Sequence, residues 1–475
     1  MANMNQQNSA VQKIWNLCNI LRGDGVSYHQ YIAELTYLLF LKIAEKNKTE
    51  RLIPEGYRWA DLVNYSGDDL LTRYRDILTF LGGHANEKRV REIYAFPTTV
   101  FSHSENLRAV ITGINKLDWS AISSDMMGDI YEGLIAKNSQ DARSGAGQYF
   151  TPRALIDSIV RVTKPSLGEL IQDPATGSGG FLVAANQFAK EQNSTHAFAK
   201  NPPRFNGMEI EKGTYRICLM NAFLHNLDLN LILGDALTVD AKELGTVDVI
   251  LANPPFGGRA GSARKQRKDL PFPTANKQLA FLQHIYLGLK PGGRAAVVLP
   301  DNVLFEDGVG RKIRQDLLER CNLHTILRLP TGIFYAQGVM TNVLFFSRGK
   351  TDSGNTKSVW IYDMRTGIPA FSRKRPLALE DFADFEACFG ADEYGKAKRK
   401  DLGISGRFRK FTRREITDRH DNLDIIWLRD DSGTSEDSST DPSELAARIS
   451  LLLKGAVEQI DLISDQLISD EGESL

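Results

Sequence analysis

Up to about residue 138 the apolar positions recur at helical spacing; from residue 148 they gather into short solid runs separated by helical stripes. Val11, Ile14, Leu17 and Leu21 share one helix face, with Ser9 and Gln12 fitting a capping box and Gly23 placed to end the helix. Ile32, Leu35, Leu38, Leu39 and Ile43 make a second stripe. Met126, Met127, Ile130, Leu134 and Ile135 make a later one, leading up to Ser144-Gly145-Ala146-Gly147. Such stripes are core faces, so residues 1–143 are expected to form a helical N-terminal domain whose role is scaffolding.

Buried-strand runs then appear at Glu169–Gln172, Arg204–Met208, Leu229–Leu233, Val247–Ala252, Arg294–Leu299, Thr325–Leu329 and Val343–Phe346. Helical patterns at Arg153–Val162, Gly180–Lys190, Thr214–Asn226, Gln278–Leu289 and Gly310–Arg320 alternate with them. This alternation predicts a doubly wound α/β domain over 144–350, its sheet mostly parallel with helices on both faces.

Residues 351–428 read as a mixed extension. Within it, Arg407-Phe408-Arg409-Lys410-Phe411-Thr412-Arg413-Arg414 interleaves aromatics with positive charge, a pattern that fits DNA, an acidic partner or a solvated strand face. An acidic, Ser-rich linker over 429–441 precedes a C-terminal helix over 442–475. That helix starts with Asp441-Pro442-Ser443-Glu444, and Leu445, Ile449, Leu452, Ala456, Gln459 and Ile463 follow a coiled-coil seam. The stripe needs a covering surface, either a partner subunit or the N-terminal helices.

Open α/β sheets bind ligands beyond the carboxyl ends of their strands, and Asp173, Glu209, Asp235 and Asn253 each follow one of four successive strands. Asp173-Pro174-Ala175-Thr176-Gly177-Ser178-Gly179-Gly180 opens a helix, and its glycines allow a ligand close to the backbone. It is not a phosphate loop, because no Lys-Ser or Lys-Thr pair follows the glycines. An acid at the start of the turn suits a ligand with a cationic amino-acid part, such as S-adenosylmethionine. Glu209 would then take ribose hydroxyls, its distance from the turn lengthened by the polar insert around Glu191–Pro203, and Asp235 would take the cofactor's adenine amino group. Helix capping or solvation is the alternative role for both acids. In Gln148-Tyr149-Phe150-Thr151-Pro152-Arg153, Thr151 can cap a helix, Pro152 can occupy its first turn and the upstream aromatic can wall the methionine end of the ligand.

At Asn253-Pro254-Pro255-Phe256 an apolar strand stops at a polar amide. Two prolines with fixed φ and no N–H hold that amide and the Pro254 carbonyl in one pose, so two acceptors point the same way. An amino group on a flat ring suits them, and Phe256 could stack on the ring of a base flipped out of its duplex. A capped strand end is the plain alternative. Asn201-Pro202-Pro203-Arg204 lacks the preceding strand and the aromatic, and reads as a loop. Phe334 or Tyr335 could also reach the base or serve as core. After Phe256, the basic residues Arg259, Arg264, Lys265, Arg267 and Lys268 form either a solvated loop or a contact to target-strand phosphates.

Composition narrows the partners. Of 475 residues 42% are hydrophobic, enough for a sizeable core, and Lys+Arg 58 against Asp+Glu 59 leaves a net charge of −1. Whole-chain charge therefore gives no signature of an autonomous DNA binder, and nucleic-acid contact must be local or lent by a partner. Cys18, Cys218, Cys321 and Cys388 are scattered, which suits a reducing cytoplasm and fits neither a disulfide frame nor a metal site. The polar N-terminus and the short apolar stretch Leu35–Ile43, interrupted by Lys42, predict no membrane span.

The order Gly147-Gln148-Tyr149-Phe150-Thr151-Pro152, then the Asp173–Gly180 turn, then Asn253-Pro254-Pro255-Phe256 resembles the amino-methylating DNA methyltransferases in which cofactor motifs precede the catalytic one. With the helical region ahead, including Gly128-Asp129-Ile130-Tyr131-Glu132, and the helical tail behind, nearly the whole chain is similar to the modification subunit of a type I restriction-modification system. The resemblance implies a Rossmann-like class I methyltransferase fold, S-adenosyl-L-methionine as donor and N6-methyladenine as product. It implies two copies working with one specificity subunit that reads double-stranded DNA, joined by a restriction subunit when the complex cleaves. Position by position, it assigns Asp173, Thr176, Gly177, Ser178, Gly179, Gly180 and Glu209 to the cofactor, with Gln148 to Arg153 completing the pocket. Asn253, Pro254 and Phe256 would hold the adenine for direct in-line transfer, without a metal. Two other readings stay open: methylation of cytosine N4 or protein glutamine, and a cofactor-binding assembly subunit without catalysis.

Overall fold

The computed structural model describes residues 2–22, 26–119, 122, 124–141, 151–256, 267, 269–334, 340–371 and 375–428. Gly23, the 429–441 linker and the 442–475 helix lie outside the described residues. Seven helices come first: α1 (Ala2–Arg22), α2 (Tyr28–Lys46), α3 (Trp59–Val63), α4 (Gly67–His84), α5 (Lys88–Ile93), α6 (Ser104–Asn115) and α7 (Ser124–Asp141). Strands and helices then alternate through α8 (Arg153–Thr163), β1 (Leu170–Asp173), α9 (Gly180–Glu191), α10 (Thr195–Lys200), β2 (Arg204–Glu209), α11 (Lys212–Leu224), β3 (Leu229–Leu233) and β4 (Val247–Ala252). There follow α12 (Lys277–Gly288), β5 (Leu289–Pro300), α13 (Asn302–Phe305), α14 (Val309–Arg320), β6 (Cys321–Arg328), β7 (Thr341–Arg348), β8 (Ser358–Asp363), α15 (Ala383–Phe389), β9 (Phe408–Thr412) and α16 (Arg413–Asp418).

The chain divides into two compact units that cut across the expected 144–350 domain. One holds residues 1–150, 165–236 and 240–244; the other holds 151–164, 237–239 and 245–475. In the first, the predicted stripes are core: Ile14, Ile32, Leu35, Leu38, Leu39, Ile43, Ile130 and Leu134 are all buried. Ser9 does not cap α1, which begins at Ala2; the capping box sits instead at Ser27 and Gln30 on α2. The strands of this unit run in the order β3-β2-β1, all parallel. Between β2 and β3 comes α11, buried from Thr214 to Ala222, a helix apolar on nearly every side because it packs on β2 and β3 as well as on α2, α5 and α7. Its Arg216 lies 4.1 Å over the Tyr37 ring and donates to Ile93 O (3.0 Å), which ties the strand-bearing part to the helical bundle.

The second unit carries strands in the order β4-β5-β7-β6-β8-β9. β4 and β5 pair in parallel, whereas β7 is antiparallel to both β5 and β6. β5 is longer than the Arg294–Leu299 run suggested. The strand carries Pro291-Gly292-Gly293 with a register shift, and a Cβ on Gly293 would stand 2.9 Å from Asp248 O. β8 and β9 were not foreseen as a pair. They stack Trp360 on Phe408 at 4.8 Å, and the cations around them are largely spoken for: Arg407 donates to Asp363 O (3.0 Å) and Arg413 pairs with Asp421 (2.8 Å). Among the described residues no helix is long and apolar enough to cross a membrane.

Candidate active site

In the first unit, β1 ends on Asp173 and β2 on Glu209, both buried. The turn after β1 folds back on these acids. Ala175 N donates to Asp173 Oδ1 (3.0 Å), Gly177 N donates to Glu209 Oε2 (2.9 Å), and Thr176 N donates to Met208 O (3.0 Å). Glycine is required twice: Gly177 and Gly179 have φ of 53° and 82°, and a Cβ on Gly179 would stand 2.9 Å from Cys218 Sγ. At Gly177 the same atom would meet nothing within 4 Å, so the turn presents bare backbone to open space. Ser178 O accepts from Asn221 Nδ2 (3.0 Å), and Gly180 begins α9.

Glu209 also accepts from Ile210 N (3.0 Å) and Glu211 N (2.9 Å), so three N–H groups occupy a carboxylate that offers about four acceptor sites. Burial pushes the Glu209 carboxyl up to about 7 against those donors. The Asp173 carboxyl is also pushed up to about 7, by burial first, against the Ala175 N–H and with a smaller push from neighbouring Glu209. Two buried acids, both with raised carboxyls, are thus held around an open glycine turn. Gly234 N donates to Glu209 O (2.9 Å), and Asp235, next in line and half-buried, donates its own N–H to Asp240 Oδ2 (3.1 Å). The pattern overlooked Ile210, an apolar side chain 52% exposed beside Glu209; an isoleucine out of place at a strand end was the available signal.

In the second unit, β4 delivers Asn253 to its carboxyl end, one position beyond the Ala252 and Val297 pair. Asn253 Nδ2 donates to Thr151 Oγ1 (2.9 Å). The donor end of the amide is thereby committed, and its oxygen end is the acceptor. This corrects the expectation for Thr151: its hydroxyl holds Asn253 rather than capping α8, where Pro152 is the N-cap residue without a side-chain cap. Arg153 Nε pairs with Asp157 Oδ1 (2.8 Å) one helical turn along, which ties that guanidinium to its own helix. Pro254 is buried, Pro255 and Phe256 are half-buried, and the Phe256 ring meets the Phe334 ring edge-on, with centroids 6.2 Å apart and planes at 78°.

Arg267 departs from the expected phosphate contact. Its side chain is 11% exposed, donates to both Asp269 oxygens (2.9 and 2.6 Å) and lies 2.5 Å from His284 Nδ1, so the loop's cation turns inward onto α12. Arg259, Arg264, Lys265, Lys268, Tyr335, Gln148, Tyr149 and Phe150 lie outside the described residues. Asn201 is the C-cap of α10, and Pro202-Pro203 lead into β2, as a loop would.

The N-6 DNA methylase family profile matches residues 122–436, and the HsdM N-terminal domain profile matches residues 10–114. The type I restriction enzyme EcoKI methylase subunit of Escherichia coli (strain K12) is 41% identical, over 98% of this chain and 97% of that protein. The crystal structure of the EcoKI M protein aligns over 97% of this chain and 96% of its own, at 37% identity and a TM-score of 0.56. A chain from a structure described as the basis of complex assembly and conformational transition of the type I R-M system aligns over 97% and 98%, at 26% identity and a TM-score of 0.71.

Proposed function

The chain belongs to the N-6 DNA methylase family, as a modification subunit of a type I restriction-modification system, and from that premise we propose that Asn253 and the Pro254 carbonyl grip the amino group of a target adenine while Asp173 and Glu209 hold S-adenosylmethionine. The subunit methylates adenine N6 in DNA and works with a specificity subunit, which reads the sequence, with a restriction subunit and with a second copy of itself. The near-neutral charge of the chain suits a subunit whose sequence reading is done by its partner.

The residues at the ends of β1 and β2, and just beyond them, fit that donor. Asp173 offers a carboxylate to its ammonium, Glu209 keeps acceptor capacity for a ribose hydroxyl, Gly177 gives room against the backbone, and exposed Ile210 supplies an apolar face for its adenine. Asp235 is the further acceptor in this assignment, and Thr176, Ser178, Gly179 and Gly180 shape the turn. When bound, the donor supplies an electrophilic sulfonium methyl. Asn253 Oδ1 and Pro254 O accept the two N–H bonds of the exocyclic nitrogen, whose lone pair is otherwise delocalised into the ring, and so localise that pair. Transfer would form the N–C bond as the C–S bond breaks and a neutral thioether leaves; the positive charge on the nitrogen would be stabilised by the same two oxygens, already oriented by Thr151 and by the prolines, until one amino proton passes to solvent. Phe256 stacks on the flipped base and fixes its plane.

The observation that carries this reading is the Asn253 amide, fixed through its nitrogen by Thr151 at the end of β4 with Phe256 beside it. Nucleoside mass spectrometry after incubating the complex with DNA and donor tests it. N6-methyladenine from the wild type, and about a hundredfold to a thousandfold less from assembled Asn253→Ala, is the expected result; N4-methylcytosine, no methylated nucleoside from the wild type, or unchanged activity in the variant would overturn it.

A further inference from the structure

The strand ends next to Phe256 contain a cluster of charged and amide side chains that the assignment above does not use. β6 ends at Arg328 and β7 begins at Thr341, and the segment between them leaves through a narrow neck closed by Leu329 N donating to Thr341 O (3.0 Å). Arg365 grips both sides of that neck, its Nε donating to Leu329 O (3.0 Å) and its Nη2 to Thr341 O (3.0 Å). The other faces of the guanidinium meet Asp301, just beyond β5, in a two-pronged pair at 2.7 and 2.9 Å. Asp301 in turn accepts from Asn342 Nδ2 (2.7 Å) and donates its own N–H to Met340 O (3.0 Å). Arg365 is itself held from below: fully buried Asp363, at the end of β8, accepts from the N–H groups of Arg365 and Thr366, both at 2.8 Å.

Arg365 and Asp301 are each only 12% exposed. An ion pair this buried loses on desolvation much of what it gains by attraction, so it is a poor device for stability and a good one for geometry. The geometry it fixes is the root of the segment bearing Phe334, a buried ring that packs nearly perpendicular to Phe256.

We propose that Asp301 and Arg365 are positioning residues for the adenine pocket: they clamp the neck at Leu329 and Thr341 so that Phe334 sets the ring plane of Phe256. This rests on the reading of Asn253 to Phe256 as that pocket. Arg365→Lys keeps the charge but loses the flat fork that reaches two carbonyls and a carboxylate at once. Asp301→Asn keeps the shape and removes the counter-charge.

The test uses the purified complex with its specificity subunit. Methylation kinetics are measured on cognate duplex, and base flipping is followed by fluorescence on a duplex with 2-aminopurine in place of the target adenine. Arg365→Lys should lower kcat about tenfold to a hundredfold and reduce the fluorescence rise, with the KM for donor held within about twofold. Phe334→Ala should do the same, and the double variant should lose no more than Phe334→Ala alone. Losses that multiply in the double variant, or an Arg365→Lys enzyme with wild-type kcat and fluorescence, would overturn the clamp. Should Arg365→Lys fail to fold, Asp301→Asn takes its place in the same cycle with the same outcomes. Asn253→Ala separates the two levels: full activity in that variant overturns the pocket itself, whereas an inactive Asn253→Ala beside independent Arg365 and Phe334 effects overturns the clamp alone.

Discussion

The chain contains Asn-Pro-Pro twice, and the two copies have opposite fates. Asn201 closes α10, is exposed, and is followed by prolines that lead into the start of β2. Asn253 follows the buried end of β4, has its amide nitrogen bound by Thr151, and is followed by a proline that is buried and an aromatic that meets Phe334. Prolines stiffen both. What differs is the end of the strand to which each belongs: carboxyl ends of parallel strands open onto ligand crevices, and amino ends do not. A tripeptide becomes a site through the strand before it and the hydroxyl that orients it, and the contrast can be pressed experimentally from both sides.

The largest effect should come from Asn253→Ala, which removes one of two acceptors for the target amino group. Methylation should fall by about a hundredfold to a thousandfold, with assembly and donor affinity preserved, as read by single-turnover assays and calorimetry. Next comes Thr151→Val, isosteric but without the hydroxyl that fixes the amide. A loss of about tenfold in kcat is expected, with recovery in Thr151→Ser; equal activity in the valine and serine variants would remove the orienting role.

The pH response of donor binding is a smaller effect. Asp173 and Glu209 are held up to about 7, so they take up protons as pH falls through that value and lose the charge that attracts an ammonium. Donor affinity should weaken about tenfold between pH 8 and pH 6 for each group that must be ionised, measurable by calorimetry in buffers of different ionisation enthalpy. The ligand-free protein should respond in the opposite sense. Carboxyls raised by burial add stability that is complete below the ordinary carboxylate pKa and is lost as pH rises through about 7, so their contribution favours a higher melting temperature at pH 6 than at pH 8. The smallest effect belongs to Asn201→Ala, a surface cap change expected to leave methylation within about twofold and stability within roughly 0.5 kcal/mol.

How much of this was legible in the chain follows from which interactions are local. β3 and β4 coincide with the apolar runs that foretold them; β4 is written as a nearly solid block because it is buried, whereas β3, at the sheet edge, keeps its run around an exposed Asn230. The position of Asn253 after β4, and of Asp173 and Glu209 at strand ends, followed from the same blocks. The Thr151 hydroxyl was misread as a helix cap because a cap is a local pattern, while its partner is Asn253, 102 residues on. Arg267 looked like a phosphate ligand because its neighbours are basic, and only the fold brings Asp269 and His284 against it. Asp301, Asn342 and Arg365 carried no signal for the same reason: three residues from the ends of three strands meet only when β5, β7 and β8 join one sheet. β8 was readable, since Val359-Trp360-Ile361-Tyr362 is β-branched and aromatic throughout, whereas the adjacent Arg409 and Lys410 of β9 concealed an edge strand.

The most direct measurement is a structure of the complex on its cognate duplex with a non-reactive donor analogue. The account predicts the target adenine outside the helix, its amino nitrogen about 3 Å from both Asn253 Oδ1 and Pro254 O, with Phe256 against its ring. An adenine still stacked in the duplex, or an Asn253 amide turned toward the core with the analogue bound elsewhere, would contradict it.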